Sequence, residues 1–317
     1  MIINKNIIPL SGDASFRKFY RKKNKILVYC KKEKKTNLLN YDAINKILIK
    51  NKIKAPKLIT NNYKNNFIEI EDFGDISFYN KINYKNSNKL FHYKKILITL
   101  QKLQKIKEKK IKTFLKSTYI VPKYTKKKLF DEANLFLNWY LPFVIKKNKQ
   151  KKLNEELRKI ITKIINNLKS NKSFFVHRDF HVSNIMFFKG QPAIIDSQDS
   201  VFGNRAYDLA SLIDDVRIKT TSKEKKKIFN EYVKINRNIN IYEFINDFKI
   251  LSVLRNLKII GIFTRLFVRD HKRKYLKLIP NAWKLIEYRV KDEKIFNELK
   301  NLLDKNFSKK IRSKKWK

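Results

Sequence analysis

The chain of 317 residues has only five glycines and a single cysteine. So few glycines rule out a glycine-rich loop that cradles phosphate, and an anion bound by a loop here would be met more by side chains together with ordinary backbone N–H groups. The lone Cys30 excludes an intrachain disulfide, leaves no Cys-x-x-Cys pair or zinc cluster to build, and fits a reducing compartment. Acidic residues are also scarce, with 28 Asp+Glu against 75 Lys+Arg and a formal charge of +47. No apolar run approaches the ~18 residues that a membrane-spanning helix needs. The opening stretch MIINKNIIPLSGDASF has its apolar patches broken by Asn4, Lys5 and Asn6, and it lacks the long apolar segment and small-residue cleavage site of a secretion signal. A cytoplasmic protein without a membrane partner is expected.

The positive charge raises nucleic acid as a partner. Against this, the excess is mostly lysine and is spread along the chain with abundant Asn and Ile, as an AT-rich coding sequence produces, whereas a functional footprint clusters. The densest runs are Lys31 to Lys35 and Lys309 to Lys317. Nucleic acid stays open as a partner but is not favoured. With 43% hydrophobic residues the chain can bury sizeable cores, and its length suits two lobes.

Chemistry concentrates in residues 177–199, HRDFHVSNIMFFKGQPAIIDSQD. Phosphoryl transfer asks for a carboxylate to orient and deprotonate an attacking hydroxyl, and for an amide oxygen and a second carboxylate to hold Mg²⁺ around a triphosphate. Asp179, Asn184 and Asp196 supply that set. Asn184 opens an apolar run from Ile185 to Phe188, Lys189-Gly190-Gln191 reads as a turn, and Pro192 to Ile195 reads as a return strand ending at Asp196. Such a hairpin brings Asn184 and Asp196 together beside a loop carrying Asp179. Each of the three taken alone is an ordinary turn or cap residue. Together they are specific, and two of the chain's four histidines, His177 and His181, flank Asp179.

This segment resembles the catalytic loop and metal motif of the aminoglycoside phosphotransferase and choline kinase superfamily, relatives of the protein kinases. Further stretches resemble its bacterial branch of anomeric N-acetylmuramate and N-acetylglucosamine kinases. They are Ser11 to Arg17 with Phe19-Tyr20-Arg21, Glu71-Asp72-Phe73-Gly74-Asp75, Tyr207 to Leu212, and Arg255 to Leu266. The resemblance implies ATP and Mg²⁺ as cofactors, with Asp179 as base and Asn184 and Asp196 as metal ligands. It implies that the loop to Arg17 covers the nucleotide, with Ser15, Arg17, Lys31, Glu71 and Phe73 as nucleotide-binding candidates. His177, Arg178, His181, Asp199 and Asp208 fall in supporting positions, where Asp208 either caps a helix or holds the catalytic loop.

Two departures stand out. The strand Ile26 to Cys30 offers no lysine until Lys31 and Lys32, so Lys31 with Asp42 as its ion-pair partner competes with a pair of merely exposed charges. Ser197 stands where an aromatic residue usually follows the metal aspartate. For the acceptor, Glu132, Trp139, Arg255 and Arg265 are candidates, because aromatic faces beside polar groups suit a sugar, although Trp139 at helical spacing also reads as core.

The expected fold is α+β and bilobal, protein-kinase-like, with a small β-rich N-lobe over residues 1–74 and a larger, mostly helical C-lobe over 75–317. Residues 15–30 and 57–70 read as paired strands around a helix whose apolar positions run from Leu38 to Leu48. Helices are predicted near 91–110, 127–141, 151–169, 206–218, 223–236, 241–266 and 281–303. The expected activity is ATP-dependent phosphorylation of a small hydroxyl compound, with an amino sugar at its anomeric hydroxyl leading. Choline, homoserine or aminoglycoside-like acceptors remain alternatives, as does a non-catalytic RNA-binding module on this fold.

Overall fold

A computed structural model describes residues 7–10, 17–314 and 316. The chain divides into two compact units, one of residues 1–123, 173–208 and 222–237, the other of 124–172, 209–221 and 238–317. The expected N-lobe, 1–74, falls within the first unit, which extends well beyond Gly74.

The first unit opens with a five-stranded antiparallel sheet. Its strands are β1 (Ile8–Leu10), β2 (Lys18–Lys22), β3 (Lys25–Tyr29), β4 (Leu58–Asn62) and β5 (Phe67–Glu71), in the order β1-β2-β3-β5-β4. Helix α1 (Thr36–Lys50) crosses between β3 and β4. Its Leu38 and Tyr41 bury against Ile26, Val28, Cys30, Ile68 and Ile70 on one face of the sheet, and Leu27 of β3 is buried on the other. Both tight turns of the sheet use left-handed residues, Lys23 and Asn66. Arg21 on β2 clamps the start of the next segment, bonding Asp72 at 2.5 Å and Asp75 at 2.8 Å, while Gly74 takes a φ of +77° that its missing Cβ permits.

Helices α2 (Phe78–Asn83) and α3 (Lys89–Gln104) follow, then a hairpin of β6 (Lys110–Lys112) and β7 (Thr118–Ile120). The helix predicted to reach 110 therefore stops at Gln104, and β6-β7 turns back against α1, where the Phe114 N–H reaches the Asp42 carboxylate.

The chain next enters the second unit as α4 (Lys126–Ala133), a π-helical turn over Phe136–Tyr140, α5 (Leu141–Val144) and α6 (Lys147–Asn166). It returns to the first unit through β8 (Phe174–Val176), β9 (Ile185–Phe188), β10 (Gln191–Ile194) and β11 (Val201–Gly203). Strands β9 and β10 pair with Phe188 opposite Gln191, leaving a two-residue turn of Lys189 and Gly190, both at positive φ as a type I′ hairpin needs. Helix α7 (Ala206–Ile213) and α8 (Ser222–Ile235) come next, α8 packing on α3.

The second unit ends with α9 (Ile241–Val268), α10 (Ile279–Val290), α11 (Asn297–Asn306) and α12 (Lys309–Arg312). The single helix predicted over 281–303 is two helices, broken where Asp292 turns to φ +59°. Helix α9 is buried on most faces, and its buried positions include the polar Asp247, Ser252, Arg255, Asn256 and Thr264 among apolar neighbours. At Gly261 it meets the backbone of Leu135 so closely that a Cβ would lie 2.3 Å from the Leu135 carbonyl carbon. Among the described residues no helix is long and apolar enough to cross a membrane.

Candidate active site

Beyond β8 the chain turns through Arg178, whose φ of +74° costs a non-glycine residue roughly 1–2 kcal/mol. Asp208, fully buried in the first turn of α7, holds that turn: its carboxylate accepts the N–H of His177 at 2.7 Å and of Arg178 at 3.0 Å. His177 is also fully buried and faces the Ile195 carbonyl at 3.1 Å. A carbonyl only accepts, so Nε2 carries the proton. Nδ1 is buried and meets no hydrogen-bond partner among the described residues. Burial lowers the His177 pKa against the opposing pull of the Asp179 and Asp196 carboxylates, and the ring is held neutral.

Asp179 follows, half-buried, with its backbone carbonyl accepting from the His181 N–H at 3.0 Å and from the Asn184 side-chain amide at 3.1 Å. That bond uses the Asn184 nitrogen and leaves its amide oxygen for another partner. The Asn184 N–H bonds the buried His181 carbonyl at 2.9 Å, and the Ile195 N–H bonds the Asn184 carbonyl at 3.0 Å. The loop and the mouth of the β9-β10 hairpin are thus one hydrogen-bonded frame that sets Asp196 beside Asn184. An amide oxygen and a carboxylate are hard donors. They suit Mg²⁺, which takes one or two protein ligands and completes its shell with phosphates and water. Among the described residues no group of three or more His, Cys, Asp or Glu is placed to hold a metal, and such an ion does not need one.

Arg17, only 5% exposed, reaches this frame from just before β2. Its guanidinium bonds the carboxylate of Asp196 and the side-chain oxygen of Gln198, and it lies 5.6 Å from the ring centroids of both Phe19 and Tyr41. Gln198 in turn donates to the exposed Asp199 at 2.8 Å, and Arg178 donates to the Asp199 carbonyl at 3.1 Å. Gln198, Tyr41 and Asn45 carry no sequence signal that marks them for this site; only their convergence on 196–199 does. Tyr119 on β7 also feels the Asp199 charge, and burial together with that charge pushes its phenol up to about 12.

Other expected positions fall differently. Lys31 is exposed at the start of a 3₁₀ turn, and the anticipated pair with Asp42 does not form. Asp42 is buried and faces β6-β7, where it takes Lys46 at 2.7 Å and the Phe114 N–H at 3.0 Å. Phe73 packs with Met186 and Ala193 and meets the Phe188 ring at 4.7 Å, making an apolar floor between β5 and the hairpin. Glu71, the last residue of β5, pairs through its N–H with the Lys57 carbonyl at 2.9 Å. Ser15 lies outside the described residues.

The acceptor candidates all fall in the second unit. Glu132 is engaged by Lys258 at 2.9 Å and by the Tyr124 hydroxyl, so its charge is already balanced within the unit. Trp139 is half-buried in the π-helical turn rather than in the core. Arg255 is 4% exposed and donates weakly to the Asp214 carbonyl at 3.4 Å. Arg265 is half-buried, and burial, with Arg269 near, lowers its pKa. An open groove of about 660 Å³ between α4 and α6 is lined by Arg158, Lys159 and Lys163 over Phe130. Arg158 is committed to Asn134 and Lys163 to Glu298, so two of its three cations are already partnered.

The sheet, the loop and the hairpin agree with a family assignment. The chain belongs to the phosphotransferase enzyme family, whose model matches residues 6–237, and it is a phosphotransferase. It is 24% identical over 307 residues to the N-acetylmuramate/N-acetylglucosamine kinase of Pseudomonas aeruginosa, covering 94% of this chain and 87% of that protein. It is 24% identical over 280 residues to the enzyme of the same name from Neisseria meningitidis, covering 85% and 81%. Among solved structures it resembles a choline/ethanolamine kinase family protein from Mesorhizobium loti, with a TM-score of 0.63, 11% identity and coverage of 93% and 92%. It also resembles an ADP-bound aminoglycoside phosphotransferase, APH(2″)-Ib, with a TM-score of 0.58, 14% identity and coverage of 90% and 93%. These neighbours share the protein-kinase-like α+β fold expected from the sequence.

Proposed function

We infer that this phosphotransferase is an ATP-dependent kinase of a small hydroxyl compound, and that its acceptor is an N-acetylated amino sugar phosphorylated at the anomeric hydroxyl. The observation that carries the reading is the hydrogen-bonded frame holding Asp179, Asn184 and Asp196 together, with Arg17 upon Asp196. Asp179 orients the acceptor hydroxyl and takes its proton as the oxygen attacks the γ-phosphorus in line; the bond from that phosphorus to the bridging oxygen breaks and ADP leaves. Asn184 and Asp196 hold Mg²⁺, which when bound neutralises charge on the phosphates. Arg17, braced by Phe19 and Tyr41, supplies the cation that a strand lysine supplies in other kinases. Phe73, Met186 and Phe188 offer the base an apolar floor. The names of the two curated relatives support the amino sugar. An anomeric hydroxyl is also more acidic than an ordinary alcohol, since the ring oxygen withdraws charge, and this suits a carboxylate base.

The test is ATP consumption with N-acetylglucosamine and N-acetylmuramate, with the product read by phosphorus NMR. A sugar 1-phosphate is expected, no transfer to the 1-deoxy sugar, and a kcat lowered about 10²–10⁴-fold in Asp179→Asn. Phosphate at the 6-position rejects the anomeric assignment, and turnover only on an amino alcohol rejects the sugar.

A further inference from the structure

We propose that Asn45 of α1 is a positioning residue for the Asp196 carboxylate, acting through the hydroxyl of Ser197, so that the seating of α1 sets the geometry of the metal site. This rests on the reading of Asp196 as a metal ligand. Asp196 has a φ of +61°, a backbone state that a non-glycine residue keeps only when its neighbours are fixed. On one side Ile195 is fixed, its N–H on the Asn184 carbonyl at 3.0 Å and its carbonyl facing His177 Nε2 at 3.1 Å. On the other side Ser197 is fully buried, and its hydroxyl donates to Asn45 Oδ1 at 2.6 Å across 152 positions of sequence.

The Asn45 amide has no freedom to turn over, because its nitrogen donates to the Pro56 carbonyl at 3.0 Å, which leaves the oxygen facing Ser197. The Ser197 carbonyl is held as well, by the Ser200 N–H at 3.0 Å and hydroxyl at 2.7 Å. One turn earlier on α1, Tyr41 lies beside the Arg17 guanidinium that bonds Asp196. The same helix face thus braces Asp196 twice, through its backbone by Asn45 and through its side-chain partner by Tyr41. The serine after this aspartate has a physical use: its buried hydroxyl gives α1 a directional bond to the segment.

The experiment measures ADP binding by calorimetry in EDTA and in Mg²⁺ for the wild type, Asn45→Ala, Ser197→Ala, the double variant and Ser197→Thr, with folding checked by circular dichroism. In the wild type Mg²⁺ tightens ADP binding. In each alanine variant that tightening falls at least fivefold while binding in EDTA stays within twofold, and the double variant loses no more than Asn45→Ala alone because the bond to Ser197 is already gone there. Ser197→Thr, which keeps the hydroxyl, restores the Mg²⁺ response. A wild-type response in either folded alanine variant overturns the positioning role and leaves the metal reading standing, as does equal weakening with and without Mg²⁺. A wild type whose ADP binding ignores Mg²⁺ overturns both.

Discussion

Replacing Asp208 by Asn perturbs the frame at one atom. The carboxylate accepts from His177 N–H at 2.7 Å and Arg178 N–H at 3.0 Å, and the side chain is fully buried. Asn keeps one acceptor oxygen and turns an NH₂ group toward the other N–H. One charge-assisted bond of about 1.5–3 kcal/mol is lost, the second becomes neutral and weaker, and a buried donor is left unpaired. Relief from burying a charge offsets part of this, so the net local cost is about 2–4 kcal/mol. It falls where Arg178 already sits at φ +74°, and the loop relaxes toward an ordinary conformation. Hydrogen exchange at the His177 and Arg178 amides reads the effect, because opening free energy sets protection. A loss of about 2–4 kcal/mol corresponds to exchange faster by roughly 30- to 1000-fold. Turnover should fall with it, since Asp179 is the next residue in the loop. Protection within threefold of wild type would show that Asp208 does not hold the loop.

Arg17→Met should weaken ADP binding more than tenfold and Lys31→Met less than twofold, as Arg17 is buried on the frame and Lys31 faces solvent; equal effects in a fluorescence titration would refute this assignment of the phosphate cation. His177 is held neutral by burial, so its folded pKa lies below the unfolded value near 6.5 and the unfolded chain binds the extra proton. Its contribution to stability is complete above about pH 6.5 and is lost as pH falls below it; urea midpoints at pH 7.5 and 5.5 should draw closer together in His177→Gln, and an unchanged gap would exclude the buried neutral ring. Gly261→Ala forces a Cβ to 2.3 Å from the Leu135 carbonyl carbon, and relief requires the π-helical turn to move. Overpacking of about 2–3 kcal/mol should lower the melting temperature by roughly 4–10 °C, and an unchanged melting curve would refute the close approach.

The sequence by itself determined what is local. The β9-β10 hairpin follows from an apolar run, a Lys-Gly turn and a second apolar run. The five-residue spacing from Asp179 to Asn184 keeps them within roughly 17 Å of chain, and the bond from the Asn184 amide to the Asp179 carbonyl at 3.1 Å closes the loop between them. Helix α6 is legible in the same way, because its buried positions Leu153, Leu157, Ile161, Ile164 and Ile165 repeat within its own length. Where prediction ran past an end, at Gln104 and across Asp292, the deciding interactions were distant or conformational: a hairpin taken up against α1, and a residue turned to positive φ.

Only the tertiary structure chose among the cations. The sequence puts both Arg17 and Lys31 forward as nucleotide-binding candidates, and only the packed structure brings Arg17 to Asp196, from 179 positions away, while Lys31 stays exposed. The same holds for Asp42, whose partners are Lys46 and the Phe114 N–H, and for Asn45, which meets Ser197 across 152 positions. Long-range hydrogen bonds leave no periodicity in sequence, because they depend on how separate elements pack and not on the repeat of any one of them.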